Sequence, residues 1–577
     1  MLLGPVLARE VVIAPRRNRI YIARTAYVGA LLVVMSTAWL VVTGTQVVRD
    51  VGDLARFGGV LFQILAPLQL ALAAFFSALL AASGVAQEKD RRTFPLLLMT
   101  NLANHELVLG KLLASLLQVL VMFAAALPLF MLAALLGGVS FGQIGRVAAV
   151  TVATILACGS LGSTLALWRE KTFQALALTV LALVLWLALG ELLAAGALGR
   201  GPTAAAWAVA LSPWQAILEA LRPGGGPGLT PNLPIARVQA FLLVAAAITV
   251  ALNLLAVARV RAWNATPDDR PARQEDSPEK GPGPAASRRV WDNPVLWREI
   301  RTWAYGRKIL VVRLAYLLAL ALAAGSLVWI MQGGRPLGLT QGCLAVVPLL
   351  LLSLVLVNAQ AVTSLTAERD ARALDLLLVT DLTPKEIVFG KLGGVFYNAK
   401  EMVLLPMVVC VGLAAVRAIS VENTLWLLGG LAVLDVFVAV LGLHAGMIYE
   451  NSRSAVAASL GTVFFLFLGV ATCMRMMVAF SGSFHAQLPP FLAFIVGGGL
   501  GLYVTLGARN PSTAIGLASV VCPLATFYAI TSFLRSEQSD MLGVFLVIVA
   551  AYGFTTAAML VPAIYEFDVT TGRTTAD

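Results

Sequence analysis

The chain has 577 residues, of which 59% are hydrophobic and 12% charged, with a formal net charge of +11 and a mean hydropathy of +0.87. Soluble globular proteins carry about 25% charged residues, so this composition excludes a soluble domain and describes a polytopic membrane protein. The positive balance does not point to nucleic acid, because Lys and Arg cluster in short segments between apolar runs, as in loops that set membrane topology.

In chain order, Arg9, Arg16, Arg17 and Arg19 precede an apolar run from about 22 to 42 that lacks a small-residue cleavage site. The first segment is therefore expected to remain as a span, with the N-terminus inside. A hydrocarbon core of about 30 Å needs about 20 apolar residues per helix. Runs of that length fall near 22–43, 59–86, 108–136, 145–168, 172–198 and 236–262. These six spans make residues 1–263 a first half. Residues 264–292, rich in Pro, Gly and charge, read as a flexible cytoplasmic linker.

The second half, 293–577, restarts the same plan, with spans near 309–332, 341–366, 387–417, 422–448, 453–477 and 541–564. The 490–533 stretch between the last two is either two further spans or a re-entrant element. The GGGLGL run at 497–502 and the ARNP hinge at 508–511 favour broken helices packed against protein. Either form leaves the C-terminus inside. Cys158, Cys343, Cys410, Cys473 and Cys522 are dispersed in apolar surroundings and read as buried small hydrophobes.

The strongest internal signal is a charged segment written twice. EKDRRTFPLLLMTNLANHELVLGKLL at 88–113 overlays ERDARALDLLLVTDLTPKEIVFGKLG at 368–393 without a gap. The copies share Glu88/Glu368, Asp90/Asp370, Arg92/Arg372, Leu97/Leu377, Leu102/Leu382, Glu106/Glu386 and a Gly-Lys-Leu triplet. The halves also match at their starts, Pro5-Val6-Leu7 and Arg9-Glu10 recurring as Pro294-Val295-Leu296 and Arg298-Glu299. Each start reads as an amphipathic helix on the cytoplasmic membrane surface, the alternative being an ordinary basic juxtamembrane anchor. The expected fold is all-α, a polytopic membrane protein of two parallel six-helix repeats related by a pseudo-twofold axis along the membrane normal.

The repeated segment lies between the second and third spans, on the side expected to be cytoplasmic. Its sequence reads as helix, turn, helix. Charge ends one span, an apolar run too short to cross follows, and Glu106 or Glu386 sits in the first turn of the next helix, where the dipole favours an acid. A mixed-charge, leucine-bearing surface helix reads as a docking element for a soluble partner, against a loop repeated only because the domain was duplicated.

This order of surface helix, two spans, Glu-initiated Leu-Leu segment and Gly-Lys-Leu resembles the permease subunit of type-2, exporter-class ABC transporters, over nearly the whole chain and twice. The resemblance implies that 88–102 and 368–382 are coupling helices seated in grooves of two cytoplasmic ATP-binding subunits, identical or paralogous. It departs from the usual pattern in fusing both halves and in the 490–533 insertion. The chain carries no phosphate-cradling G-x-x-x-x-G-K-[ST] loop, since Lys111 and Lys391 are followed by Leu, and HELVL at 105–109 lacks the second His of a zinc site. The chain is therefore expected to be no enzyme and to hold no cofactor, ATP and Mg belonging to the partner subunits. Readings from other classes are a secondary transporter using intramembrane charges, and a membrane anchor that transports nothing.

One asymmetry is visible. Lys400, Glu401 and Asp435 stand where the first half has Leu120, Val121 and Ile155. Counted along their spans, Lys400 and Asp435 fall at similar depth near the bilayer middle, where a charge costs about 2.5–3.5 kcal/mol. Two readings follow. In one, Lys400 and Asp435 form a structural ion pair with Glu401 turned to the interface between halves; in the other, all three line a cargo path.

Overall fold

The computed structural model describes residues 4–13, 18–45, 50–196, 201–223, 229–230, 233–264, 291–301, 309–332, 339–479, 484–509, 511–535 and 541–567. The linker at 265–290, residues 302–308 after the second surface helix, and the C-terminal tail from 568 lie outside them, as do the side chains of Cys343, Cys473 and His485. Cys158, Cys410 and Cys522 are free thiols in the interior.

The first half runs α1 (Gly4–Ile13), α2 (Asn18–Thr45), α3 (Val51–Asp90), α4 (Phe94–Leu98), α5 (Asn104–Leu135), α6 (Phe141–Trp168), α7 (Thr172–Ala194), α8 (Pro202–Leu211) and α9 (Pro213–Ala220). A two-stranded antiparallel hairpin, β1 (Leu229–Thr230) and β2 (Leu233–Ala236), then leads into α10 (Arg237–Trp263). The second half runs α11 (Pro294–Arg301), α12 (Ile309–Gln332), α13 (Leu339–Asp370), α14 (Ala373–Leu378), α15 (Pro384–Asn398), α16 (Lys400–Ala415), α17 (Val421–Ile448), α18 (Ser452–Ala479), α19 (Phe484–Leu506), α20 (Thr513–Arg535) and α21 (Met541–Tyr565). Among the described residues, eleven helices are long and apolar enough to cross a membrane, and α15 with α16 adds one bent by 55°. The protein is an all-α, multi-pass membrane protein.

Several spans exceed the bilayer. At 1.5 Å per residue, the 40 residues of α3 extend about 60 Å, twice the hydrocarbon thickness. Part of it must therefore project past the membrane, and α4 lies between its last turns and the start of α5.

Without a hydrophobic drive between lipid-immersed helices, small residues must let backbones approach. Gly162 of α6 and Gly442 of α17 occupy the same place in the repeat, each against the second span of its own half. A Cβ on Gly162 would run into the Ala78 carbonyl, and one on Gly442 would lie 2.8 Å from the Asn358 carbonyl oxygen and 2.7 Å from Ala361 Cβ. Between halves the packing is reciprocal: α3 lies against α18, and α13 against α7. Phe75 of α3 stacks on Phe464 of α18, with centroids 4.3 Å apart and planes 10° from parallel.

Two sequence expectations change here. The GGGLGL run does not break a helix; it lies inside α19, where Gly499 faces the Ser519 carbonyl of α20, so close packing outweighs helix propensity. The insertion also has a positional counterpart, because α8 and α9 sit between the fifth and sixth spans of the first half as α19 and α20 do in the second.

Candidate functional site

The two repeated segments are built by the same contacts. Where α3 ends, Lys89 Nζ donates to the Leu167 and Arg169 carbonyls at 2.5 and 2.9 Å, satisfying the open C-terminus of α6. Where α13 ends, Arg369 donates to the Tyr449 carbonyl and, at 3.0 Å, to that of Met447, at the C-terminus of α17. Asp90 accepts from the Thr172 hydroxyl and Asp370 from the Ser452 hydroxyl, each tying the second span to the first turn of the fifth. Every one of these positions recurs 280 residues later.

The turn that follows is also shared. Arg92 and Arg372 adopt left-handed backbone, with φ of 56° and 55°, a conformation that costs a non-glycine residue about 1–2 kcal/mol. Their guanidinium groups are exposed. The chain then enters α4 or α14, short helices closed by Thr100 and Thr380 hydroxyls that donate to the Leu97 and Leu377 carbonyls, both at 2.6 Å. Glu386 caps the next helix, accepting from the Thr383 amide at 2.9 Å and hydroxyl at 2.8 Å; Glu106 accepts from the Ala103 amide at 3.1 Å. The acid read at each helix start is thus an N-terminal cap.

Burial separates two groups of residues. Glu88 pairs with Lys111, and Glu368 with Lys391 and Arg298. Lys391 is 1% exposed; its Nζ lies 2.6 Å from both Glu368 and Glu299 and donates to the Ser364 carbonyl at 3.1 Å. This quartet of Arg298, Glu299, Glu368 and Lys391 carries no net charge and binds surface helix α11 to the second and third spans. Leu97 and Leu377 point inward, with Leu102 and Leu382 half-buried. The residues turned outward are others: Leu96 and Met99, 62% and 80% exposed, and Leu376 and Val379, 74% and 85% exposed. Arg261 of α10 steadies the first segment through Asn104 and the Leu98 and Leu102 carbonyls.

Arg91 joins the segments across the halves, its Nε 3.0 Å from Asp370 and its Nη2 3.2 Å from Asn451. Beside this seam a cavity of about 250 Å³ opens between Lys171 and Thr172 of the first half and the charged quartet of the second.

The asymmetric charges do not meet as expected. Glu401 pairs with Arg313 of α12 at 3.5 Å, and Lys400 Nζ stands 4.5 Å from the Tyr397 ring centroid. Lys400 and Asp435 form no ion pair. Lys400 and Asp435 share a depth all the same, because Ser353 of α13 donates to the Met402 carbonyl, two residues past Lys400, and Asn358, just over one turn further along α13, donates to the Val438 carbonyl, three residues past Asp435. Asp435 is 1% exposed, and neither of its oxygens has a hydrogen-bond partner among the described residues. Nearby, Pro406 cannot donate to the Met402 carbonyl one turn earlier, and the Tyr316 and Ser353 hydroxyls donate to it instead, at 3.1 and 2.6 Å.

The sequence reading missed Lys89/Arg369, Lys111/Lys391 and Thr172/Ser452. The signal was the fixed offset itself, carried beyond the segment: the Gly-Lys-Leu lysine and Glu170/Glu450 recur at the same spacing. No protein-family model matches the chain, and no curated protein matches it.

Proposed function

We propose that this chain is the permease of an ATP-driven exporter of the type-2 ABC class, with both transmembrane halves fused. Its cargo pathway would lie between halves related by a pseudo-twofold axis along the membrane normal, a reading supported by the reciprocal packing of second and fifth spans. Two ATP-binding subunits, holding ATP and Mg, dock on the cytoplasmic side at α4 and α14 and move the halves between inward-facing and outward-facing states. The protein then sits in the cell (inner) membrane with both termini cytoplasmic.

The observation that carries this reading is the pair of apolar tips, Leu96 with Met99 and Leu376 with Val379. Large apolar side chains held outside the bilayer on rigid turns mark an interaction surface. Each tip is fastened to the second, fourth and fifth spans, so a push there reaches the membrane through hydrogen-bonded helices. A secondary transporter remains the second reading, favoured by the unpartnered acid Asp435 in the membrane interior.

Purification of the chain from native membranes with bound ATPase, followed by measurement of ATP hydrolysis, tests the proposal. Replacing Leu96, Met99, Leu376 and Val379 by Asp should leave insertion and helix content intact and remove the associated hydrolysis. Hydrolysis unchanged in that variant would refute docking at these tips.

A further inference from the structure

Asp435 is the fifteenth of the 28 residues of α17, and Lys400 shares its depth through the hydrogen bonds of Ser353 and Asn358. Lys400 therefore projects from near the middle of the bilayer. Each headgroup layer is about 15 Å away from there, further than a lysine side chain reaches. Lys400, Leu404, Val408 and Val411 fall at helical spacing on one face of α16, and all four are exposed; Met402, Pro406 and Cys410 are buried against the second half. The first half carries Leu120, Ala124, Pro128 and Met131 at the same places in α5, an unbroken apolar stripe whose last three residues are exposed. Such a stripe on a spanning helix faces lipid tails, and the second half has put a cation into it. Nothing local cancels that charge. Glu401 is taken up by Arg313, and among the described residues no carboxylate lies within ion-pair distance of Lys400. The Tyr397 ring, 4.5 Å from the ammonium, eases its desolvation and leaves its charge.

We propose that this face of α16 docks a membrane-spanning helix of a different subunit, whose aspartate or glutamate at mid-bilayer pairs with Lys400 and whose apolar side chains lie along Leu404, Val408 and Val411. An unpaired cation in hydrocarbon is costly, and charges inside a membrane pair with one another. Charge complementarity selects the occupant. Lipid tails offer no anion at this depth, and a second copy of the chain docked through the same face brings Lys400 against Lys400. The first half, with Leu120 at this position, has no such site, so one partner helix binds per chain.

The probe is a synthetic Leu-Ala helix of about 20 residues with Asp at its centre, mixed with the full chain in phosphatidylcholine vesicles, and fluorescence transfer between the two reads association. The Asp peptide should bind at least about five-fold more tightly than the same peptide with Leu at its centre, and the peptide with Lys there should not bind. Lys400→Leu, which restores the first-half residue, should remove the preference for Asp, while Lys400→Arg keeps it. Arg259→Leu, which removes an exposed cation on α10, should leave it unchanged. Should K400L not insert, Lys400→Gln makes the same comparison. Equal binding of the Asp and Leu peptides, a preference that survives in the Lys400 variants, an equal loss in R259L, or self-association of the chain that depends on Lys400 would overturn the proposal. None of these outcomes depends on ATPase docking.

Discussion

At the residue scale, Asp435 shows what a duplicated sequence reveals and what it conceals. That an acid replaced Ile155 of the first half was legible; its lack of a partner was not, because similar depth along two helices does not make their side chains face each other. Glu401 found Arg313, and the acid on α17 was left alone. Burying a carboxylate without a partner is expensive whether it stays ionised or takes up a proton. Asp435→Ile is therefore expected to stabilise the purified protein by about 2–3 kcal/mol, read as a raised melting temperature. A lower melting temperature would mean that a partner outside the described residues satisfies the acid. If the stabilised variant loses transport, the acid works in the cargo path.

At the element scale, hydropathy located the spans, but it could not reveal how far helices continue beyond the lipid. The charged ends of α3 and α13 and the polar start of α5 belong to the same rods as the apolar stretches, whereas α15 joins α16 through a 55° bend, and α4 and α14 follow directly on the ends of the long helices. Helix packing was less legible. Gly162 and Gly442 looked like ordinary interruptions, yet each is the point where the fourth span meets the second. Gly442→Ala is expected to cost about 1–3 kcal/mol, because backbone and Ala361 cannot both give way. Gly412→Ala, with nothing within 4 Å of the added Cβ, should be neutral or gain up to about 1 kcal/mol from helix propensity. Equal melting shifts in the two variants would contradict the close-contact explanation.

At the scale of the whole molecule, the 280-residue offset organises the fastenings of both segments. Lys89/Arg369 to the fourth span, Asp90/Asp370 to the fifth and Lys111/Lys391 to the second recur in both halves. The charges in the repeated text are mostly internal ties, and the large apolar side chains left facing outward are Leu96, Met99, Leu376 and Val379. Sequence comparison alone weighted the charges because they are rare in an apolar chain, whereas leucines are common and their direction is set only by the left-handed turns at Arg92 and Arg372. On the proposed reading two equivalent tips dock two subunits, and the mass of the purified complex measures that number. The account predicts two ATP-binding subunits per chain in the unaltered protein, one when Leu96 and Met99 alone or Leu376 and Val379 alone are changed to Asp, and none when all four are changed. Two subunits retained on the fully substituted chain would contradict it.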